Sequence, residues 1–289
     1  EVVLRKLGIT NYPDADLRRW KDFLHRYKQP KNEVHIGLVG KYVELKDAYK
    51  SIKEALEHGG AENETKVHIK WVHSEKLTSK NVAKQLGGLS GILVAPGFGH
   101  RGIEGKIEAI KYARENKVPF LGICLGMQCA VIEFARNVLG METANSTEMD
   151  ANTAYPVIAM MEEQKVIENK GGTMRLGAYA CKISDGSLAS TVYKKKDITE
   201  RHRHRYEFNN AYQEAYKKAG MVATGINPQS KLVEIVEVKD HPWFIGVQFH
   251  PEYRSTVAKP HPLFVNFVLA AMKMGAKELP KPEVQEAVK

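Results

Sequence analysis

The sequence predicts an α/β protein with a doubly wound, mainly parallel sheet flanked by helices and a small additional antiparallel sheet. Short apolar runs alternate with helical patterns from residue 34 to residue 139, which is typical of βαβ units. After residue 174, candidate strands follow one another with little helix between them, which favours antiparallel additions or a second sheet. The 289 residues, of which 43% are hydrophobic, suffice for a self-supporting core.

The first half of the chain predicts four strands joined by helices. The strands are the apolar runs at residues 34–39, 66–72, 91–96 and 118–123. The helical patterns lie at residues 47–58, 104–116 and 127–139. The second half predicts a C-terminal helix near residues 263–274, preceded by strands at residues 174–183, 201–208, 221–226, 232–238 and 243–249.

The two ends of the chain differ from its centre. Between Pro13 and Pro30, apolar residues recur at helical spacing, at Leu17, Trp20, Leu24 and Tyr27. We therefore expect an interdomain linker with an amphipathic helix at residues 1–32, one main domain at residues 33–276 and a mobile tail at residues 277–289. Within the main domain, the charged run at residues 162–172 predicts an exposed loop.

Charge and cysteine content narrow the class of protein. The net charge of +9 favours anionic partners such as nucleotides, although basic residues spread over a solvated surface give the same sum. The 3 cysteines lack metal-binding spacing and indicate reduced thiols. No apolar run is long enough to cross a bilayer and no signal peptide is recognisable, so we expect a soluble, cytoplasmic protein without a membrane partner.

The pentapeptide GICLG at residues 122–126 follows an apolar strand and opens a helix, which is the setting of a nucleophile elbow. Glycines at both ends allow a tight turn that exposes Cys124. The positive end of the following helix would then stabilise its thiolate. A buried structural cysteine in a glycine-flanked turn is the alternative.

A cysteine nucleophile needs a base and a group that orients the base. The predicted strand at residues 243–249 ends at His250, and Glu252 follows. Because parallel sheets place their sites at the carboxyl ends of the strands, Cys124 and His250 are expected to meet. These three residues form a candidate triad, against the alternative that His250 is a surface or packing histidine.

A glycine-rich turn with the sequence APGFGHRG follows the third predicted strand at residues 95–102. Its spacing matches neither the P-loop nor the dinucleotide fingerprint, so a phosphate loop is the weaker interpretation. An oxyanion hole is favoured, in which the backbone N–H groups of Gly97 and Leu125 donate to a developing negative oxygen.

The basic run ERHRHRYE at residues 200–207 has several interpretations. It could bind nucleic acid, bind a metal through His-x-His, or form a surface strand whose sides alternate. The run has no interleaved aromatic residues for base stacking and no further metal ligand nearby, so its residues favour the surface strand.

Several motifs in order resemble the signature set of the class I glutamine amidotransferases: PGFG, GICLGMQ, NSTE, GGTMRLG, RHRHRYE and QFHPE. The resemblance covers residues 34–269 and implies a flavodoxin-like fold and a glutaminase step without a cofactor. RGIEGK, ANSTE, GGTMRLG and ERHRHRYE resemble in particular the members whose ammonia converts UTP to CTP. A glutaminase subunit of another member, such as that of GMP synthesis, is the nearer alternative. A basic binding module with a vestigial triad is the more distant one.

The resemblance implies a role for each matching residue. Cys124 is the expected nucleophile, His250 the general base and acid, and Glu252 its orienting partner. Glutamine is expected to contact Gly97, Leu125, Gly126, Met127, Gln128, Glu148 and Arg205. A carboxylate for the ammonium and a guanidinium for the carboxylate suit an amino-acid zwitterion.

One position departs from the family pattern. Where relatives have VPGGFG, this sequence has VAPGFG, so Pro96 occupies a glycine position. Proline has no N–H to donate. The oxyanion hole must therefore depend on Gly97 and Leu125.

The resemblance also implies partners. An amidoligase domain of the same polypeptide, absent from this chain, would use ATP and Mg to activate UTP within a homo-tetramer, and this domain would itself hold no metal and bind no nucleic acid. GTP is the expected allosteric activator, with contacts at Phe98, Arg101 and Arg175. Gly171 and Gly172 would let the adjoining segment move as a lid.

Overall fold

The computed structural model describes residues 1–160 and 174–278 and contains a large and a small sheet. The large sheet has nine strands in the order β2-β1-β3-β4-β12-β11-β10-β7-β8, and the small sheet has the order β5-β6-β9. The strands are β1 (Asn32–Gly40), β2 (Thr65–His73), β3 (Gly91–Val94), β4 (Phe120–Ile123), β5 (Asn145–Ser146), β6 (Pro156–Met160), β7 (Arg175–Ile183), β8 (Asp197–His204), β9 (Tyr206–Phe208), β10 (Met221–Ile226), β11 (Val233–Val238) and β12 (Phe244–Val247).

Helices cover both faces of the large sheet. They are α1 (Val2–Lys6), α2 (Arg18–Lys28), α3 (Lys50–Glu62), α4 (Val82–Leu86), α5 (Ile103–Glu115), α6 (Leu125–Asn137), α7 (Leu188–Tyr193), α8 (Gln213–Ala219) and α9 (Pro262–Glu278). Side chains of α4, α5, α6 and α8 belong to one hydrophobic cluster, and those of α3, α7 and α9 belong to the other. The fold class predicted from the sequence is confirmed. None of the described helices is long and apolar enough to cross a lipid bilayer.

The predicted strands of the first half agree with β1 to β4, which run parallel together with β12. The apolar runs form buried strands because helices cover both of their faces. Phe120 of β4 stacks on Phe244 of β12, with ring centroids 4.3 Å apart. This contact joins the two strands that carry the candidate nucleophile and base.

The second half adds antiparallel strands, as predicted, but the run at residues 201–208 is not one strand. β8 ends at His204 and pairs with β7, whereas β9 begins at Tyr206 and pairs with β6 in the small sheet. The chain changes sheets at Arg205 because β9 satisfies its backbone hydrogen bonds on β6. The small sheet is also only partly antiparallel, since β5 runs parallel to β6.

The N-terminal segment contacts the main domain through α2 and α3. Arg26 and Glu62 form an ion pair of 3.1 Å, and the Phe23 ring lies edge-on to His58 at 5.9 Å. The helix begins at Arg18, later than the periodicity suggests, and Trp20 stays half exposed. The proposed division at residues 32 and 276 stays a prediction. The predicted loop at residues 162–172, the Gly171 and Gly172 hinge, and residues 279–289 of the predicted tail lie outside the described residues.

Candidate active site

Three neighbouring parallel strands, β3, β4 and β12, bring the candidate site together. Ile123 at the end of β4 pairs with Val247 at the end of β12, and Gly122 pairs with Val94 at the end of β3. The residues that follow these strands therefore emerge at one edge of the sheet. They are the glycine-rich turn after β3, Cys124 after β4, and Gln248 to His250 after β12.

Cys124 has a strained backbone, with φ of +52° and ψ of −104°, and it directly precedes α6. Few residues other than glycine adopt positive φ, and such strain is concentrated at functional sites. The flanking glycines allow the close packing of the elbow. A Cβ at Gly126 would lie 2.2 Å from the carbonyl oxygen of Val94, and a Cβ at Gly122 would lie 2.8 Å from the Gly126 backbone. The structure therefore has the tight, strained turn that the GICLG pattern predicts, but the expected exposure of Cys124 is wrong, because the residue is 3% exposed and lines a cavity.

Buried polar groups surround the thiol of Cys124, which is 3% exposed. Its backbone N–H donates to the carbonyl of Val247 at 2.7 Å, which fixes the elbow to β12. The side-chain amide of Gln248 donates to Sγ at 3.6 Å. The sequence analysis did not single out Gln248, although it lies in the QFHPE motif beside the candidate base.

His250 and Glu252 form the second part of the candidate triad. Nδ1 of His250 lies 2.7 Å from Oε1 of Glu252, and both residues are buried. Glu252 lies in the 3-10 turn Pro251–Arg254, and this turn brings the two side chains together. Burial alone would lower the pKa of His250, but interactions with Cys124 and then Glu252 raise it to about 10. The interactions with Cys124 and Glu252 therefore favour the protonated form of the imidazole.

The turn after β3 places Gly97 against the start of α6. A Cβ at Gly97 would lie 3.5 Å from Cδ2 of Leu125, so the two expected oxyanion donors are neighbours. The peptide group between Phe98 and Gly99 is fixed by hydrogen bonds at both its carbonyl and its N–H. The carbonyl of Phe98 accepts from Nζ of Lys41, and the N–H of Gly99 donates to Oε1 of Glu148 at 3.0 Å.

A cavity of about 380 Å³ opens at this edge of the sheet. It is lined by Gly97, Phe98, Cys124, Gln128, Glu148, Met174, His204, Arg205 and Tyr206. Four of the expected glutamine contacts therefore line it: Gly97, Gln128, Glu148 and Arg205. Leu125, Gly126 and Met127 do not. The Met127 side chain is fully buried and packs towards Gly246 of β12.

Gln128 is held by hydrogen bonds on the inner side of the cavity. Its Nε2 donates to the carbonyl of Tyr206 at 2.8 Å and to Oε1 of Gln248 at 3.2 Å. Nδ1 of His204 lies 3.1 Å from the same Tyr206 carbonyl. The sequence analysis missed His204 and Tyr206 as lining residues. The alternation of arginine and histidine in RHRH was the available signal, because it places both histidines on one face of a strand.

The run ERHRHRYE forms a strand with alternating sides up to His204, which agrees with the structural interpretation. His202 and His204 point inward, while Arg201 and Arg203 are exposed. Nδ1 of His202 lies 3.0 Å from Nε2 of His204. Burial lowers the pKa of His202 to about 2 and that of His204 to about 3. Among residues 1–160 and 174–278, no group of three or more histidine, cysteine or acidic residues could hold a metal ion.

Arg175, one of the expected nucleotide contacts, is buried and has a carboxylate partner in this structure. Its side chain is 4% exposed and forms an ion pair of 2.7 Å with Glu234, which is fully buried. The guanidinium also lies 4.2 Å above the ring of Tyr179. It therefore pairs with a carboxylate inside the protein, and its contact with a nucleotide stays a prediction.

The two other cysteines lack the environment of Cys124. Burial raises the pKa of the Cys129 thiol to about 12 and also raises that of Cys181. Both residues are buried, and neither lines the cavity. Of the three thiols, only Cys124 faces the candidate site.

Comparison with known proteins shows the family to which the chain belongs. The family model for glutamine amidotransferase class-I matches residues 44–270. The chain therefore belongs to the class I glutamine amidotransferases. It is 64% identical over 271 residues to a CTP synthase of Cytophaga hutchinsonii, covering 94% of this chain and 50% of that protein. It is 60% identical over 278 residues to a CTP synthase of Christiangramia forsetii, covering 96% of this chain and 51% of that protein.

A solved structure narrows the assignment within the family. The glutaminase domain of the Trypanosoma brucei CTPS, solved with bound acivicin, matches with a TM-score of 0.78 and 39% identity. The match covers 83% of this chain and 94% of that one. Within its family, this chain thus belongs with the glutaminase domains of CTP synthases. It spans about half the length of the curated relatives that it matches.

Proposed function

We propose that this chain hydrolyses the side-chain amide of L-glutamine to glutamate and ammonia, with Cys124, His250 and Glu252 as the triad. The observation that carries the proposal is the shared edge of β3, β4 and β12, where a strained cysteine follows β4 and a buried histidine–carboxylate pair follows the neighbouring strand β12. The pair supports a role in chemistry because it follows the strand beside the one that ends at the nucleophile elbow, and a cysteine nucleophile needs a base that is itself oriented by a third group.

The proposed reaction has two stages. The thiolate of Cys124 attacks the amide carbon, and the resulting oxyanion accepts hydrogen bonds from the backbone N–H groups of Gly97 and Leu125. Protonated His250 gives its proton to the leaving nitrogen, which departs as ammonia and leaves a γ-glutamyl thioester. Water then attacks the thioester, His250 takes its proton, and glutamate leaves with the thiolate restored. Glu252 holds the ring of His250 and stabilises its charge.

The cavity has the groups that a glutamine zwitterion requires. Glu148 offers a carboxylate to the ammonium group, and Arg205 offers a guanidinium to the α-carboxylate. Gln128 is fixed by its bonds to Tyr206 and Gln248, so it would help to orient the substrate. Acivicin, the molecule bound in the Trypanosoma brucei domain, is a glutamine analogue, which supports glutamine as the ligand here.

In the whole protein, we propose that the ammonia aminates UTP to CTP. The CTP synthase relatives are about twice as long as the matching region. The remaining half would be an amidoligase domain that uses ATP and Mg, so that the full enzyme is a ligase of pyrimidine biosynthesis, assembled as a tetramer in the cytoplasm. GTP would act as activator.

Two of the three expected GTP contacts are exposed. Phe98 is 42% exposed at the mouth of the cavity, and the guanidinium of Arg203 lies 5.6 Å from its ring. Arg101 is exposed and bonds to Glu75 at 3.2 Å. A base could stack on Phe98, while phosphates could replace Glu75 as the partner of Arg101.

Labelling by a glutamine-like chloroketone, with the modified residue mapped by mass spectrometry, tests the glutaminase assignment. We expect addition of one equivalent at Cys124, protection by glutamine, and glutamate release by the unlabelled protein in a coupled assay. Labelling elsewhere, or labelling without any glutamate release, would favour a basic binding module with a vestigial triad.

A further inference from the structure

Lys106 of α5 has a buried ammonium group that forms no ion pair within the described residues. Its side chain is fully buried, and Nζ makes one hydrogen bond, of 2.7 Å, to the carbonyl of Ala95. Within the described residues, no carboxylate lies within ion-pair distance of it. Burial lowers its pKa to about 8, so the ammonium form still predominates at neutral pH. A buried ammonium group without a carboxylate partner lowers folding stability. Its presence therefore points to a role other than stabilising the fold.

The charge lies directly behind the expected oxyanion hole. Ala95 is the last residue before Pro96 and Gly97, and a Cβ at Gly97 would lie 3.9 Å from Nζ of Lys106. A second lysine, Lys41, approaches the same turn. Nζ of Lys41 bonds to the carbonyl of Phe98, and its Cε would lie 3.7 Å from that Cβ.

The two lysines fix the carbonyl groups on either side of Gly97. Between the bonded carbonyls of Ala95 and Phe98 lies only the short segment Pro96-Gly97, and proline fixes its own φ. The direction of the Gly97 N–H is thereby restricted, although Pro96 supplies no donor of its own. The ammonium of Lys106 also adds positive charge where an oxyanion would form, in a region that excludes water.

We propose that Lys106 is a positioning residue for formation of the oxyanion, acting through the Ala95 carbonyl and through its charge. The inference rests on the proposed glutaminase function. It predicts that Lys106 contributes to the reaction at a glutamine carbonyl and little to the folding of the chain or to the reactivity of the thiol.

Three variants of this chain test the inference. Lys106→Met keeps the volume and removes both the hydrogen bond and the charge, whereas Lys106→Gln keeps a neutral donor. Lys70→Met is the matched control, because Lys70 also bonds a backbone carbonyl, that of Gln85 at 2.6 Å, but on the edge strand β2. For each protein, kcat and KM for glutamine, the melting temperature, and the rate of Cys124 alkylation by iodoacetamide are measured. Alkylation at carbon forms no oxyanion, so it reports on the thiolate alone.

We expect Lys106→Met to lower kcat by about tenfold, which is less than the loss of a direct oxyanion donor. KM and the alkylation rate should change by about twofold at most, and the melting temperature should not fall, since an apolar replacement of a buried charge is often neutral or stabilising. The kcat of Lys106→Gln should lie between those of Lys106→Met and the wild type. The kcat of Lys70→Met should equal that of the wild type.

An unchanged kcat in Lys106→Met would overturn the inference, as would equal losses of hydrolysis and alkylation. Failure of both Lys106 variants to fold would assign the residue a purely structural role and would also overturn it. Absence of glutamate release by the wild-type chain would instead contradict the proposed function itself.

Discussion

Gln248 donates from its side-chain amide to the sulfur of Cys124 at 3.6 Å and accepts from Gln128 at 3.2 Å. It is fully buried, and its backbone N–H donates to the carbonyl of Glu234 on β11 at 2.9 Å. One side chain thus connects the candidate nucleophile with a lining residue of the cavity.

Gln248→Met should lower the alkylation rate of Cys124 by about tenfold, because a hydrogen bond to a charged acceptor is worth about 1.5–3 kcal/mol. The same change should raise KM for glutamine, since Gln128 loses one of its two partners. Gln128→Met provides the contrast, with a raised KM and an almost unchanged alkylation rate. Equal alkylation rates in Gln248→Met and the wild type would show that the contact does not stabilise the thiolate.

Cys124 should be the sole essential thiol. Cys124→Ala should abolish glutamate release and leave the melting temperature within a few degrees, because it removes a single buried sulfur atom that also lines the cavity. Cys129→Ala is the matched control, since Cys129 lies on the next turn of α6 but is fully buried. Glutaminase activity in the Cys124 variant would contradict the mechanism.

His250 and Glu252 should act as a unit with Cys124. Glu252→Gln and His250→Ala should each lower kcat by about a hundredfold or more, which is the range for loss of a general acid–base. In the double variant the two losses should not multiply, because the carboxylate acts through the imidazole. Steady-state kinetics of the four proteins form the cycle, and fully multiplicative losses would show that the two groups act independently.

His202 should make the chain sensitive to acid. Its folded-state pKa of about 2 lies far below the value of about 6.5 in an unfolded chain. The unfolded form therefore gains a proton as the pH falls below about 6.5 while the folded form does not. Neutral His202 therefore contributes its full share to the free energy of unfolding above about pH 6.5. This contribution falls towards lower pH, by up to about 1.4 kcal/mol per pH unit.

The measurement is the free energy of unfolding in denaturant between pH 7 and pH 5. His202→Phe removes the titrating group, so its stability should fall less steeply below about pH 6 than that of the wild type. Parallel curves for the two proteins would show that His202 takes up its proton without unfolding.

The sequence predicted the parallel half of the fold because its signals are local. An apolar strand such as β4 and the helix that follows it are evident without knowledge of their neighbours. The position of Cys124 beside His250 also followed, because parallel strands present their carboxyl ends at one edge. Sequence spacing and this one topological rule were sufficient for the candidate triad.

Features that depend on distant partners were not predictable in this way. The alternation of RHRHRYEF continues across Arg205, and only the pairing of β9 with β6 shows that the strand ends there. Arg175 resembles a surface cation until Glu234 of β11 is known to neutralise it. Likewise, nothing adjacent to Lys106 in the sequence indicates that its ammonium lies behind Gly97.

The response to GTP should depend on both halves of the enzyme. An activator must bind the competent state better than the idle state, and in this chain Phe98 lines the cavity while Arg101 lies further along the same turn. If the proposed amidoligase domain supplies the remaining contacts, this chain alone should hydrolyse glutamine weakly and respond little to GTP. The decisive measurement is kcat/KM for glutamine with and without GTP, on this chain and on the full-length enzyme.

In the full-length enzyme, Phe98→Ala should reduce the stimulation more than the unstimulated rate, because the exposed ring would contact the nucleotide rather than the reacting amide. Arg175→Lys serves as the contrast: it keeps the positive charge beside Glu234 and should leave the GTP response intact. Equal stimulation of this chain and of the full-length enzyme would show that the regulatory site is complete without the other half.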